Sequence, residues 1–325
     1  MQGGDPEISF REFNAQKDSG DVAALFNTLY PSRPVDHRYP VWRYTEGPLP
    51  GGALVATANG VIVGSCAFRV EPFAFGPRGR ILGLHGLDFM VHPTWQRKRI
   101  GSGLAVRLRD YASRYGANFI YMLTNVKGAR VLTERLGWTR LSTIATYRCA
   151  ALPISPGEMN QARISVRHHS GVDSALCSSL FARQFNPGDS DVVPVRSTEI
   201  LDWRYRNDPR NQYHMATIAL DGRLSGYLIF KWFHRDEHPA EIDILDYVAA
   251  VDTPVTFVVR ELRSLLKVNA SANLWLDGVF TRGDHDSPSG LEPTGYTSTL
   301  VIERTDPDCP GFVSIAMPLG WHEAF

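Results

Sequence analysis

The feature that most constrains this chain is an internal repeat. Trp42-Arg43-Tyr44 recurs as Trp203-Arg204-Tyr205, 161 residues on. Each copy is followed by a proline (Pro48, Pro209), a short apolar run and a turn, Asn59-Gly60 in the first and Asp221-Gly222 in the second. Asn-Gly and Asp-Gly between alternating apolar runs are strong two-residue hairpin signals, because both turn positions need positive φ. Upstream, Ile8-Ser9-Phe10-Arg11 and Ile164-Ser165-Val166-Arg167 alternate as edge strands do. Three features in the same order at nearly constant offset imply duplication of one supersecondary plan.

The length agrees. A chain of 325 residues is long for one domain and comfortable as two of about 150. The breaker-rich stretch Leu152–Gly157 is the expected linker, which gives domains at 1–155 and 162–325. Hairpins in the first half of each copy, then helices alternating with strands, predict an α/β class with a mixed sheet. Helices are expected at about 19–30, near Trp42, at 101–115 and at 127–136. Strands are expected near 8–13, 53–58, 61–75, 82–91, 119–124 and 141–151. In the 101–115 helix Leu104, Leu108, Tyr111, Ala112 and Tyr115 share one face.

Composition narrows the function. Basic and acidic residues balance at 34 each, which argues against a general nucleic-acid binder. No apolar run approaches a membrane span, and the first residues lack the basic and apolar regions of a secretory signal. Cys66, Cys149, Cys177 and Cys309 are scattered and form no C-x-x-C pair, so reduced thiols in the cytoplasm are expected, with no zinc site.

One segment carries chemistry. Val91-His92-Pro93 ends a strand, Gln96-Arg97-Lys98-Arg99-Ile100-Gly101-Ser102-Gly103 forms a basic turn, and an amphipathic helix follows. A helix N-terminus offers unpaired N–H groups, glycines permit close approach, and the three cations add charge: together, a pyrophosphate site. The alternative is a solvated basic loop leading into an ordinary helix.

These residues resemble the GCN5-related N-acetyltransferase (GNAT) superfamily. Its motif is V-x-P on the fourth strand, then Q/R-x-x-G-x-G/A opening a helix. Gln96 and Gly101 match, while Arg99 stands where the first glycine usually lies. Asn125, Ala129 and Leu136-Gly137-Trp138 resemble the family's second block, N-x-x-A followed by a tyrosine four residues before G-F. Tandem GNAT proteins are known in the superfamily, in keeping with the repeat.

The resemblance implies that backbone groups of Phe89, Met90 and Val91 bind the pantetheine arm of acetyl-CoA, and that N–H groups from Arg97 to Gly103 hold its pyrophosphate. Asn125 and Ala129 would border the thiol end. It implies direct attack of a primary amine on the acetyl thioester, with a fourth-strand N–H near Met90 polarising the carbonyl. The acceptor is then a small-molecule amine such as an amino sugar or aminoglycoside. The amine's proton needs an acceptor, for which Asp88 and His85 are candidates. Strand alternation would put Asp88 with Met90, and His85 with Leu87 and Phe89. Thr133 occupies the position of the family's tyrosine acid, and its hydroxyl is a poor acid; Tyr121 or water could replace it. Without such an acid, a non-catalytic acyl-CoA-binding or regulatory protein is the alternative. In multi-domain aminoglycoside-acetylating relatives a terminal carboxylate acts as base, which makes Phe325 a further candidate.

In the second copy, Val251-Asp252-Thr253-Pro254 joins strand to helix without glycine or basic residues, so no second cradle is expected. The helix after it is expected to present Phe257, Val258, Glu261, Leu262, Leu265 and Leu266 on one face. His234–His238 and Asp284–Ser287 read as loops rather than metal sites.

Overall fold

The computed structural model describes residues 7–76, 79–149, 164–184, 191–233, 241–249, 255–266, 272–276, 291–306 and 314–315. The linker at 152–157, residues 251–254, His234–His238, Asp284–Ser287, Cys309 and Phe325 lie outside them. The chain forms two compact units: 1–74 with 79–142 and 298–311, and 75–78 with 143–297 and 312–325.

The first unit opens with β1 (Ile8–Glu12), α1 (Ala15–Leu29) and α2 (Arg38–Tyr44). Next come β2 (Gly51–Ala58), β3 (Val61–Phe75), β4 (Arg80–Val91), α3 (Ile100–Arg114) and β5 (Phe119–Thr124). Helix α4 (Val126–Arg130) runs into a π-helical turn at Val131–Arg135 before β6 (Thr139–Cys149) begins. The first four strands pair antiparallel in chain order, and β5 joins β4 in parallel. This is the expected mixed sheet.

Helix α1 starts four residues earlier than periodicity indicates. The Asn14 side chain caps the N–H groups of Gln16 and Lys17, and the Asp18 carboxylate accepts the N–H of Asn14. Arg11 clamps Asp18 through two hydrogen bonds of 2.6 and 2.9 Å, and this holds the carboxyl below its ordinary pKa. On the other face of the sheet, α3 buries Ile100, Leu104, Ala105, Leu108 and Ala112 against Leu54, Ala56, Phe68, Leu84 and Ile120.

The second unit repeats the plan. It contains β7 (Ile164–His169), α5 (Ser174–Gln184), β8 (Asp191–Pro194), and α6 (Thr198–Leu201), which passes into a π-helical turn at Asp202–Arg206. Then come β9 (Tyr213–Leu220), β10 (Arg223–Phe233), β11 (Glu241–Val248), α7 (Val255–Leu266) and β12 (Ala272–Leu276). The last strands are β13 (Leu291–Arg304) and β14 (Ser314–Ile315). Both expected hairpin turns have positive φ at both positions: Asn59 and Gly60 at 49° and 79°, Asp221 and Gly222 at 51° and 73°. Both Trp-Arg-Tyr triplets are buried. Helix α7 buries Val258, Val259 and Leu262, whereas Leu265 is half exposed. Val258, Leu262 and Leu266 thus face the core as expected, with Val259 added to them and Leu265 turned outward.

The units are not contiguous in sequence. In the first, β5 pairs antiparallel with Thr299–Arg304 of β13; in the second, β12 pairs antiparallel with Ala145–Cys149 of β6. A cut near residue 155 therefore leaves each half without the strand beside its fifth. In the first unit Asn118 fastens the incoming strand, accepting the Leu82 N–H and donating to Asp306, while Arg109 pairs with Glu303.

Two predictions follow from these contacts. A fragment ending at residue 155 loses the burial of Leu300, Val301 and Ile302, roughly 1.5–3 kcal/mol each. Its melting temperature should fall by more than about 10 °C and recover partly when a peptide of residues 296–308 is added. Because Asp18 has a lowered pKa when folded, its contribution is present above the ordinary carboxylate range and disappears as pH falls through the folded value. Asp18→Asn should thus be less stable than wild type at pH 7, with the difference shrinking as pH falls through and below the ordinary carboxylate range, as read by denaturant titration.

Candidate active site

The cleft begins where β4 and β5 part. They pair only from Gly83–Phe119 to Gly86–Met122, although β4 continues to Val91 and β5 to Thr124. Gly86 stands at the fork because a Cβ there would come within 2.3 Å of the Met122 side chain. On its other edge β4 stays paired with β3, but with a bulge: Leu87 faces Ala67 and Met90 faces Ser65, so Asp88 and Phe89 together oppose Cys66. Asp88 takes a φ of 41° to make the bulge.

The bulge overturns the alternation expected for β4. An extra residue inverts the pleat, so Phe89 and Val91 pack with Leu84 on the α3 face. His85 lies on the opposite face, stacked on Tyr121 at 4.3 Å. Asp88 also turns away from α3, toward α2. The Arg43 Nε lies 3.5 Å from its Oδ2 and the Tyr39 hydroxyl donates to the same oxygen at 3.2 Å. His85 and Asp88 therefore share a side of the sheet, where alternation had separated them.

Each candidate acid or base among the described residues has a partner within the fold. His85 is buried with its Nδ1 3.8 Å from Glu71, and Glu71 accepts the Tyr121 hydroxyl at 2.5 Å. The Thr133 hydroxyl donates to the Ala129 carbonyl at 2.9 Å. Asn125 is the N-cap of α4, its side chain accepting the Gly128 N–H, and Ala129 packs in the core beneath α3. A Cβ at Gly128 would meet the Thr124 hydroxyl at 2.0 Å, so a larger residue there must displace that side chain.

The basic loop fills the gap between β4 and α3. His92 caps a short 3-10 turn at Pro93–Trp95, and the Gln96 amide donates to the Val91 carbonyl at 3.4 Å. Arg97 and Arg99 both adopt left-handed backbone, with φ of 67° and 61°. Arg99 thus holds the conformation a glycine would favour, at about 1–2 kcal/mol per non-glycine residue. The first bond into α3 runs from the Gly103 N–H to the Arg99 carbonyl. The N–H groups of Ile100, Gly101 and Ser102 have no acceptor within the helix. Gly103 does not belong with these donors. Its N–H is taken, and it is a glycine because a Cβ would stand 2.5 Å from the Phe10 ring. Gly64 does similar work, since a Cβ there would lie 2.8 Å from Ile100; its absence seats the start of α3 on the first residues of β3. Arg97, Lys98 and Arg99 are exposed, and the Lys98 ammonium lies 4.6 Å over the Trp95 ring.

The sequence reading missed Arg43, Tyr39 and Glu71. The Trp-Arg-Tyr repeat contains Arg43, but nothing in the triplet itself points to Asp88. A buried arginine needs a carboxylate, and that requirement was the available signal.

Comparison with known proteins agrees with this geometry. Residues 21–138 match the acetyltransferase (GNAT) family model. No curated protein matches the sequence significantly. Among solved structures, a GCN5-related N-acetyltransferase from Anabaena variabilis superposes with a TM-score of 0.65 at 10% identity, over 92% of this chain and 73% of that one. A probable N-acyltransferase from Enterococcus faecalis gives 0.67 at 10% identity, over 93% and 73%. A tandem GNAT protein from the clavulanic acid biosynthesis pathway gives 0.63 at 14% identity, over 93% and 99%. Residues 21–138 therefore form an acetyltransferase (GNAT) family domain, and the fold of the GNAT structures above extends over more than nine-tenths of the chain.

Proposed function

We propose that the protein is an acetyl-CoA-dependent N-acetyltransferase that passes an acetyl group directly to a primary amine of a small molecule, of the amino sugar or aminoglycoside kind. The observation that carries this reading is the parting of β4 from β5 beside an α3 N-terminus flanked by three exposed cations. In it, backbone groups of Phe89, Met90 and Val91 hold the pantetheine as an added strand would. The N–H groups from Arg97 to Ser102 and the side chains of Arg97, Lys98 and Arg99 receive the pyrophosphate. Asn125 and Ala129 border the thiol end, and one coenzyme is bound per chain, by the first unit.

Acetyl-CoA supplies an activated thioester whose thiol, with a pKa of about 8.5, leaves without an obligatory protein acid. That suits Thr133, whose hydroxyl is engaged with Ala129. The chain's own contribution is placement of the reactants and polarisation of the carbonyl by a β4 N–H. No helix among the described residues is long and apolar enough to cross a membrane. Cys66 and Cys177 are free and buried, in keeping with a cytoplasmic enzyme.

A second reading, a non-catalytic acyl-CoA-binding protein, is favoured by the engagement of Thr133 and Asp88 within the fold. Thiol release from acetyl-CoA across a broad amine panel separates the two. Release above background with at least one amine is expected; coenzyme binding without release from any of them selects the second reading.

The loop assignment is tested by Gly101→Phe. A Cβ at Gly101 already reaches 3.2 Å from the Phe89 ring, so a large side chain must displace the loop or cover its N–H groups. Loss of charge-assisted hydrogen bonds should weaken coenzyme A binding at least about tenfold by calorimetry. Unchanged affinity would remove the pyrophosphate assignment. The left-handed backbone at Arg99 predicts a further contrast. Arg99→Val should melt several degrees below Arg99→Gly, because a β-branched side chain tolerates positive φ worst.

A further inference from the structure

Among the described residues, five other than glycine have positive φ. Asn59 and Asp221 make hairpin turns, and Arg97 and Arg99 shape the basic loop. Asp88 alone lies inside a strand. Aspartate enters this region more readily than most residues, but within a strand such backbone is strained, so the surroundings must hold it. Its side chain is 5% exposed, and its Oδ2 faces the Arg43 Nε and the Tyr39 hydroxyl, both from α2. Arg43 is itself 2% exposed. Burial, reinforced by the charge of Asp88, pushes the Tyr44 hydroxyl and the Cys66 thiol well up from their ordinary values.

The second unit contains the same arrangement built from different residues. Asp246 stands 158 residues after Asp88 and beside a bulge, for Phe230 faces Ile244 while Ile229 faces Asp246, leaving Leu245 extra. Pairing of β11 with β12 stops at Ile244, as pairing of β4 with β5 stops at Gly86, again 158 residues apart. Asp246 is fully buried and bound by Arg196 through Nε and a terminal nitrogen, at 2.9–3.1 Å. The Tyr227 hydroxyl donates to it at 3.2 Å. Arg196 precedes α6 and Tyr227 lies on β10. At the repeat offsets of 161 and 162 the first unit has Val35 and Ser65 instead. Two units that place an aspartate, an arginine and a tyrosine in or beside the bulge at which the strands part, with the arginine and tyrosine drawn from non-equivalent positions, are meeting a demand of the fold.

We propose that Asp88 is a positioning residue rather than the general base: with Arg43 and Tyr39 it locks the β4 bulge that parts β4 from β5 and so sets the opening of the coenzyme cleft. The part concerning the cleft rests on the coenzyme reading above; the lock itself does not. Arg43→Met, Tyr39→Phe and Asp88→Asn are compared in the full-length protein by calorimetry with coenzyme A, amide hydrogen exchange over residues 87–91, and the pH profile of kcat. Arg43→Met leaves a buried carboxylate unpaired. It should weaken coenzyme A binding at least tenfold and speed exchange over 87–91. Tyr39→Phe, which removes one hydroxyl and serves if the first variant does not fold, should do the same to a smaller degree. Asp88→Asn retains an acceptor oxygen and should keep most of the affinity and the acidic limb of the profile. Adding it to Arg43→Met should restore part of what that change loses.

The proposal is overturned if Asp88→Asn lowers kcat a hundredfold and abolishes the acidic limb while affinity and exchange stay unchanged, as a base would require. It is equally overturned if Arg43→Met and Tyr39→Phe leave exchange over 87–91 unaltered. Failure of the wild-type protein to bind coenzyme A would instead defeat the coenzyme reading, and exchange would then decide the lock alone.

Discussion

Backbone hydrogen bonding is the constraint on which this structure turns. Every N–H and C=O in a sheet needs a partner, and two neighbouring strands normally supply each other's. When β4 and β5 separate after Gly86, the facing edge of Leu87–Val91 is left to find partners elsewhere. An extended ligand arm with amides of its own is the natural complement, so the cleft is an interrupted sheet before it is anything else. The helix that starts beside it adds a second set of unpaired donors, and both deficits open at the same end of β4.

Holding two such deficits together requires close approach, which explains where the sequence uses its least bulky residues. Gly64 lets Ile100 sit on the sheet, Gly86 takes Met122 at the fork, and Gly103 receives the Phe10 ring. Two of these three glycines lie outside the motif that identifies the loop, and the third serves core packing rather than the ligand. Conversely, two positions that bend as glycines would, Arg97 and Arg99, are arginines. Charge has been kept there and backbone strain accepted with it.

Much of this was legible in the sequence because it is local. The hairpin turns announce themselves as Asn-Gly and Asp-Gly, the α3 face by its spacing, and the loop by its cations and glycines. What stayed hidden was non-local or depended on one residue of register. Nothing in Leu87-Asp88-Phe89 signals a bulge, and without it alternation puts Asp88 and His85 on opposite faces. The capping of α1 by Asn14 and Asp18 extended that helix past its apolar pattern. Strand partners came last of all, since the sequence of β13 does not say that its final residues belong beside β5.

That partnership has a consequence in time. During synthesis the chain reaches the end of β6 at residue 149, yet the neighbour of β5 is complete only at Arg304. At about 5–20 residues per second the interval is roughly eight to thirty seconds. Throughout it the nascent first unit carries an open, apolar strand edge of the kind that invites pairing with other chains. A chaperone, or the provisional use of the chain's own β6, would have to guard that edge. The duplicated gene is thus bound together more tightly than a simple fusion: neither half could be lost or exchanged without unmaking the other.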